Sequence, residues 1–324
     1  MKDFYFVALI GFALSLALTC LVMPFYIQML KNHHIAQSVS EYALDEYKNK
    51  QKTPIMGGLI FVLVPVVIYL IVNGPYRFNM SVLMVICSYM LFCLVGFLDD
   101  ILIILRGNNE GLSPRTRLIM EFVFVILIYA VFRKYIPLDI HIPFTGIDIN
   151  LPWFIFLPFM ILLYMAEANA VNFTDGMDGL CAGVSFIALI PLAVIAFVKG
   201  YYSLVLLIVC VLGGLIGYLV FNHHPAKIFM GDSGSLALGA LFTASAIILK
   251  CEVALFVVGG VFVVEMFCVC VQQISVRLFH KRVFSYTPIH YAFTLKGMKE
   301  TKVVGMFYLL QLVLSIVGLI IGLF

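Results

Sequence analysis

The sequence predicts an all-α polytopic membrane protein with about ten transmembrane helices. Of its 324 residues, 63% are hydrophobic and only 11% are charged, whereas a soluble domain carries about 25% charged residues. Apolar runs of about 18 residues or more recur along the chain, and each is long enough to cross a bilayer as a helix. The sequence shows no internal repeat and no stretch typical of a soluble domain. We therefore predict one integral membrane domain over residues 1–324.

The apolar runs divide into ten predicted membrane segments. They cover residues 4–30, 54–73, 80–98, 117–132, 152–168, 180–198, 202–221, 234–249, 253–279 and 303–322, to within a few residues. The eight cysteines lie mostly inside these runs and form no CxxC pair. We interpret them as small apolar residues in helices, in preference to metal ligands or disulfide partners.

The distribution of lysine and arginine predicts which helix ends face the cytoplasm. One set of loops, with the flanking Arg117 and Arg277, contains 14 of the 20 basic residues. These loops are residues 31–53, 99–116, 169–179, 222–233 and 280–302. The positive-inside rule makes this set cytoplasmic and places both termini outside. Residues 138–152 (LDIHIPFTGIDINLP) alternate around a Thr-Gly turn, which predicts a small external β-hairpin.

Five aspartates lie in three loops of the predicted cytoplasmic face. They are Asp99 and Asp100 in GFLDD, Asp175 and Asp178 in VNFTDGMDGL, and Asp232 in FMGDSGS. Packing of the helices can bring these loops around one cleft. Carboxylate oxygens with substrate phosphates are the usual ligands of Mg²⁺ in proteins, and no Cys/His set competes for a softer metal. The pattern therefore predicts a magnesium site that acts on a phosphate compound.

Each acidic motif also has a purely structural interpretation. Two adjacent aspartates at a helix end are commonly solvated, and they project about 100° apart, so that usually one at most points into a cleft. Asp175 and Asp178 either share a face of a helix that begins there or cap that helix. Asp232 can also be only a cap, although Gly231 and Gly234 permit a phosphate to approach a helix N-terminus. The presence of all three motifs on one face favours function.

Basic and histidine residues accompany the acidic motifs on this face. Arg115 and Arg117 follow a GLSP motif, and Lys50 lies in the first loop. Each is explained by topology alone, but an anionic diphosphate needs such partners beside a metal. His290, in SYTPIHYAF, is a further candidate, although a histidine in a loop is often incidental.

Two other classes of function fit these residues less well. The net charge of +3 is small, and basic residues form no stripe with interleaved aromatics, which argues against nucleic acid as a partner. Glu121, Glu167 and Glu265 lie in or near membrane segments, as in an ion-coupled transporter. They are scattered, however, and no matched pair of broken helices appears.

Six motifs together resemble the polyprenyl-phosphate hexose-1-phosphate transferases. The closer resemblance is to the phospho-N-acetylmuramoyl-pentapeptide transferases of peptidoglycan synthesis, and it extends over nearly the whole chain. The motifs are TPIMGG (53–58), GFLDD (96–100), GLSPRTRL (111–118), NAVNFTDGMDGL (169–180), FNHHPAKIFMGDSGSLALG (221–239) and TPIHYAFTLKG (287–297).

The resemblance implies a reaction at the bacterial cell membrane with a cytoplasmic active site. Undecaprenyl phosphate would attack UDP-N-acetylmuramoyl-pentapeptide, giving lipid I and UMP, with Mg²⁺ as the cofactor. Phosphoryl transfer of this kind depends mainly on positioning and charge neutralisation. A homodimer is compatible with the resemblance, but no sequence feature indicates one.

The resemblance also implies roles for individual residues. Asp99 would be the base, Asp100 and Asp232 would bind the metal, and His290 is counted as catalytic. Asn172, Asp175 and Asp178 would line the nucleotide pocket, where Phe229 would stack on the uracil. The remaining candidate substrate-binding residues are Lys50, Arg115, Arg117, Asn169, Asn222, Ser235 and Gln272.

One loop departs from the pattern of that family. The family has three consecutive histidines where this chain has His290, Tyr291 and Ala292. An acidic residue and a tryptophan of the family correspond here to Thr294 and Met298. These differences concern the sugar and peptide of the substrate more than the type of reaction. The alternative within the superfamily is a transferase of N-acetylglucosamine 1-phosphate, whose last loop usually carries a histidine- and arginine-rich element.

Overall fold

The computed structural model describes residues 2–33, 35, 53–74, 79–106 and 111–324. Within these ranges the chain forms twelve helices and a two-stranded sheet. They are α1 (Lys2–Asn32), α2 (Gly58–Val72), α3 (Met80–Arg106), α4 (Pro114–Phe132), β1 (Asp139–Ile142), β2 (Ile147–Asn150), α5 (Trp153–Thr174), α6 (Leu180–Val198), α7 (Tyr202–Asn222), α8 (Asp232–Leu249), α9 (Glu252–Val258), α10 (Gly260–Phe279), α11 (Ile289–Leu295) and α12 (Glu300–Leu323).

The protein is an all-α polytopic membrane protein, as the composition predicted. Eight helices in the described ranges are long and apolar enough to cross a membrane, namely α1, α3, α5, α6, α7, α8, α10 and α12. Helix α2 is apolar but has only 15 residues. Helix α4 has 19 residues but carries Arg115, Arg117 and Glu121 near its start. The count of ten spans and the placement of the termini remain predictions.

Helix α8 is the centre of the bundle. In its most apolar window 94% of the residues are buried, against 22% in α1 and 28% in α12. Its sequence DSGSLALGALFTASAIIL is rich in glycine, alanine and serine, and small residues let membrane helices pack closely. Helices α3 and α5 pack against it most extensively. The N-terminus of α8 is therefore surrounded by other helices, and this end carries Asp232.

The predicted hairpin is present. Strands β1 and β2 pair antiparallel, with Asp139 opposite Asn150 and Ile142 opposite Ile147. Gly146 in the turn has a φ of +66°, a conformation that glycine adopts without steric cost. The ammonium of Lys250, at the end of α8, pairs with the carboxylate of Asp139.

Two helix boundaries differ from the sequence prediction. Helix α3 does not end at the aspartate pair but continues to Arg106, because residues 101–106 (ILIILR) contain no helix breaker. The single segment predicted over 253–279 is divided into α9 and α10 at the Gly259–Gly260 pair, where two adjacent glycines weaken the helix. As a result, Asp99 and Asp100 lie inside a helix and not at its solvated end.

Candidate active site

Asp232 is the first residue of α8, and helix α3 fixes the backbone around it. The carboxylate of Asp100 accepts hydrogen bonds from the backbone N–H groups of Asp232 (3.0 Å) and Ser233 (3.1 Å). Such N–H groups have no partner within their own helix, so Asp100 caps α8 from a neighbouring helix. Gly231 precedes Asp232 with a φ of +76°. A Cβ on Gly96 would overlap the backbone of Asp232, so a glycine there permits this close approach.

The neighbouring Asp99 projects to a different partner. Its Oδ1 accepts a hydrogen bond from the backbone N–H of Leu112 at 2.9 Å, and it thereby holds the segment that leads into α4. Asp99 is 6% exposed and Asp100 is fully buried. Both carboxylates nevertheless lie close enough to Asp232 to interact with it electrostatically. The pair is thus part of one acidic cluster, although its two members have different local partners.

The carboxylate of Asp232 is held by one cation and one amide. Arg117 Nη1 donates to Oδ2 at 2.8 Å, and Asn172 Nδ2 donates to Oδ1 at 2.7 Å. Asn172 also donates to the hydroxyl of Ser235 at 3.0 Å. These contacts join the start of α4, the end of α5 and the start of α8, so that three sequence motifs meet at one carboxylate.

Arg117 is itself supported by a buried polar network. Its Nη2 donates to Asn169 Oδ1 at 3.0 Å, and Asn169 Nδ2 donates to Glu121 Oε2 at 3.0 Å. Glu121 is fully buried and lies one helical turn after Arg117. Arg115, by contrast, is exposed on the same turn of α4. The predicted basic residue Lys50 lies outside the described residues.

Asp175 lies in the loop between α5 and α6 and not in a helix. It follows the last residue of α5 as its C-cap. Helix α6 begins at Leu180 after Gly179, and no side chain caps it. The prediction that Asp175 and Asp178 share a helix face or cap α6 is therefore wrong. Burial, followed by the negative charge of Asp232, raises the pKa of Asp175 to about 7, which places Asp175 beside the cluster.

Asp178 holds the loop between α5 and α6 against the loop between α7 and α8. Its Oδ2 accepts from His224 Nδ1 at 3.0 Å and from the backbone N–H of Ala226 at 3.1 Å. The side chain of Asp178 is 1% exposed. From α12, Glu300 accepts a hydrogen bond from the backbone N–H of Asp178 at 2.8 Å. These contacts fix the shape of the loop, and the predicted role of Asp178 in the nucleotide pocket stays a prediction.

Asn222 and the TPIMGG motif also stabilise the loops between α5 and α6 and between α7 and α8. Asn222 Oδ1 accepts from the N–H of Gly179 at 3.0 Å, and its Nδ2 donates to the carbonyl of Ile228 at 2.9 Å. The N–H of Phe229 donates to the carbonyl of Pro54, and the N–H of Gly57 returns a bond to the carbonyl of Phe229. Phe229 is half-buried.

His290 is fully buried at the start of α11. Its Nδ1 lies 3.0 Å from Oε1 of Glu265, a fully buried residue of α10. Its Nε2 is buried without a hydrogen-bond partner and packs against Gly176, in the loop that contains Asp175. Loop 287–297 and loop 175–179 therefore meet at this imidazole.

Gln272 belongs to the support of the last loop. Its Oε1 accepts from the backbone N–H groups of Val283 and Phe284, both at 3.0 Å, and its Nε2 donates to the carbonyl of Phe284. It makes no described contact with the aspartates. Its predicted role near the substrate stays a prediction.

The donor set of the acidic cluster fits a divalent cation such as Mg²⁺. Asp99, Asp100, Asp175 and Asp232 supply only carboxylate oxygens, which this ion prefers. Each oxygen of Asp232 accepts one described hydrogen bond, and a carboxylate oxygen can accept two. Among the described contacts, Arg117 forms an ion pair with Asp232, and Arg117 and Arg106 both lie close enough to Asp99 to interact with it electrostatically. The cluster therefore has an excess of negative charge that a cation would offset.

Four further residues of this region are not predicted by the sequence motifs. Glu265 lies seven residues before Gln272 on one face of α10, and this two-turn spacing of polar residues in an apolar segment was a usable signal. Glu121, four residues after Arg117, offered a similar one. Glu300 and Tyr291 gave none, because their partners are more than 100 residues away in the sequence.

The fold and this cluster define a class of protein, an integral membrane protein with an acidic polar site at the helix ends. A family model described as glycosyl transferase family 4 matches residues 82–250, slightly more than half of the chain. Phospho-N-acetylmuramoyl-pentapeptide-transferases of Halalkalibacterium halodurans and Bacillus subtilis are 37% and 36% identical, over 97% and 98% of this chain and 97% of each relative. One from Clostridium botulinum is 38% identical over 96% of this chain and 94% of that protein.

The chain therefore belongs to the phospho-N-acetylmuramoyl-pentapeptide-transferases within glycosyl transferase family 4.

Proposed function

We propose that this protein transfers phospho-N-acetylmuramoyl-pentapeptide from its UDP derivative to undecaprenyl phosphate. A phosphate oxygen of the lipid attacks the β-phosphorus of the nucleotide sugar. The bond between that phosphorus and the bridging oxygen breaks, UMP leaves, and lipid I remains in the membrane. The observation that carries the proposal is the meeting of Asp99, Asp100, Asp175 and Asp232 at the N-terminus of α8.

The position of this cluster suits a reaction between a lipid and a water-soluble substrate. Asp232 is the first residue of its helix, and Asp175 follows the last residue of α5. The cluster is thus at the end of the bundle and not at its midplane, where a proton path of a transporter would run. We further propose that this end faces the cytoplasm of a bacterial cell membrane, with both termini outside.

The aspartates of the cluster have different proposed roles. Asp232 and Asp100 would hold Mg²⁺, which when bound offsets the charge of the diphosphate and of the leaving UMP. Asp100 has a second task, because it fixes the backbone that carries Asp232. Asp99 would take the proton from the lipid phosphate, since only its Oδ1 has a described hydrogen bond and the residue is slightly exposed.

The braced loops around the cluster would bind the nucleotide. Asn172 and Arg117 orient Asp232, and Arg117 would also stabilise negative charge on the diphosphate. The half-buried ring of Phe229 would stack on uracil. Asp178 and Asn222 hold the two loops that form the walls of this pocket.

The test is UMP release by the purified protein in detergent with Mg²⁺ and undecaprenyl phosphate. One reaction contains UDP-N-acetylmuramoyl-pentapeptide, and the other contains UDP-N-acetylglucosamine. We expect release only with the pentapeptide, and addition of EDTA should abolish it. Release only with UDP-N-acetylglucosamine would reassign the substrate to the other branch of the superfamily. Release with neither substrate would refute the proposal.

A matched pair of variants tests the assignment of Asp232. Asp232→Asn should abolish turnover while the protein still folds, because a neutral amide binds Mg²⁺ poorly. Asp3→Asn removes an exposed acid from the first turn of α1, near the opposite end of the bundle, and should leave turnover unchanged. Near-normal activity of Asp232→Asn would contradict the metal assignment.

A further inference from the structure

Glu265 of α10 makes three contacts with the start of α11, although 24 and 25 residues separate the partners. Its Oε2 accepts from the backbone N–H of Ile289 at 2.7 Å. Its Oε1 accepts from the backbone N–H of His290 at 3.3 Å and lies 3.0 Å from the ring Nδ1 of His290. Pro288, which precedes the helix, offers no side-chain cap. Glu265 therefore supplies the cap from another helix.

These contacts determine which nitrogen of the imidazole carries a hydrogen. Both oxygens of Glu265 already accept backbone N–H groups, so the carboxylate faces donors only. A carboxylate in such a position accepts from Nδ1–H, and the partner of one ring nitrogen sets the tautomer of the other. The neutral ring of His290 then presents Nε2 as an acceptor, and the protonated ring presents it as a donor.

The other side of the imidazole is directed at the nucleotide-binding loop. His290 Nε2 is buried without a partner and lies against Gly176. The hydroxyl of Tyr291 donates to the carbonyl of Gly176 at 2.8 Å, and its ring lies 4.2 Å from that of His290, centroid to centroid. Tyr291 thus keeps loop 175–179 in contact with the imidazole, and Glu265 binds the ring through Nδ1 on its other side. A buried polar atom without a partner is uncommon in native proteins.

We propose that Glu265 is a positioning residue for the transfer reaction. It fixes His290 with a hydrogen on Nδ1, so that Nε2 faces the sugar diphosphate, where the neutral ring accepts from a sugar hydroxyl and the protonated ring donates to a phosphate oxygen. This inference rests on the proposed function, because His290 belongs to the proposed site. Glu265 itself acts through His290 and touches no substrate.

A double-mutant cycle separates positioning from general support of the fold. Glu265→Gln keeps the shape of the side chain, but its amide N–H₂ must face one of the three donors. We expect Glu265→Gln and His290→Ala each to lower kcat, the first by about 10-fold to 100-fold, since a misplacement of about 1 Å in an active site can cost about 10²-fold. Because Glu265 acts through His290, the double variant should equal His290→Ala. Losses that multiply would overturn the proposal.

Glu167→Gln is the matched control. Glu167 is a buried carboxylate of α5 that makes no described contact with His290. This variant should keep the wild-type kcat, which shows that loss of a buried charge is not enough to explain the effect. A loss in Glu167→Gln equal to that in Glu265→Gln would contradict the assigned role.

The tautomer can be measured without any activity. In protein with ¹⁵N-labelled histidine, the signal missing from His290→Ala identifies His290. We expect Nδ1–H in the wild type and a shifted signal in Glu265→Gln. If Glu265→Gln does not fold, the wild-type spectrum alone decides, because Nε2–H with a bare Nδ1 would overturn the proposal. UMP release by the wild type tests the proposed function separately, so failure of one is distinguishable from failure of the other.

Discussion

Replacement of Asp100 by asparagine should destabilise the protein far more than the same change at Asp99. The carboxylate of Asp100 is fully buried and accepts two backbone N–H groups at the start of α8. Asparagine has one acceptor oxygen, so one N–H loses its partner and meets the amide N–H₂. Asp99 accepts one described N–H, from Leu112, and the oxygen of an asparagine there can still accept it.

The magnitude follows from these contacts. A helix cap contributes about 1 kcal/mol, and a hydrogen bond to a charged group contributes about 1.5–3 kcal/mol. Removal of one carboxylate near Asp232 relieves repulsion and offsets part of the loss. We expect Asp100→Asn to lower the free energy of unfolding by about 2 kcal/mol, roughly a 30-fold change in the unfolding equilibrium. Asp99→Asn should lower it by less than about 1 kcal/mol.

The assay is SDS-induced unfolding in mixed micelles, followed by far-UV circular dichroism with EDTA present. EDTA removes divalent cations, so that lost metal binding does not enter the comparison. Both variants should lose activity, and Asp100→Asn should lose clearly more stability than Asp99→Asn. Equal destabilisation of the two variants would refute the inference that Asp100 caps α8.

Three further outcomes are expected. Arg117→Lys should lower the rate of UMP release about 10-fold, because an ammonium cannot keep both guanidinium contacts. Arg133→Lys, exposed at the opposite end of α4, should leave the rate unchanged, and equal losses in the two variants would count against the network. In the metal-free protein, the free energy of unfolding should fall as the pH rises from about 4 to about 7 and then level off, because the folded state keeps a proton on Asp175 that the unfolded state has released. Denaturant titrations of the wild type and of Asp175→Asn check this. An unchanged slope of stability against pH in the variant would contradict it. Tyr291→Phe removes the hydrogen bond to Gly176. It should raise the KM for the UDP-sugar substrate by up to about 10-fold, which corresponds to a loss of about 0.5–1.5 kcal/mol. An unchanged KM from steady-state kinetics would show that this hydrogen bond does not shape the pocket.

Much of the candidate site was readable from residue type and spacing. The aspartates of three motifs lie together in the structure, and Arg117 and Asn172 lie with Asp232. Their local settings were harder to predict. Asp175 and Asp178 lie in the five-residue loop between α5 and α6, and neither caps the start of α6, which begins at Leu180 after the turn at Gly179. A helix boundary depends on contacts from distant segments, which a local pattern does not contain.

The sequence alone determined that this protein is a bundle of membrane helices, since apolar runs of about 20 residues cross lipid as helices, which satisfy their own backbone hydrogen bonds. It also determined which functional groups are present, namely carboxylates with a few cations and amides in polar loops. Only the tertiary structure decided which acid does what. Asp100 caps α8, Asp99 holds the segment before α4, and Glu265 reaches His290 from another helix. These assignments depend on which side chains meet across helices, and packing alone fixes that.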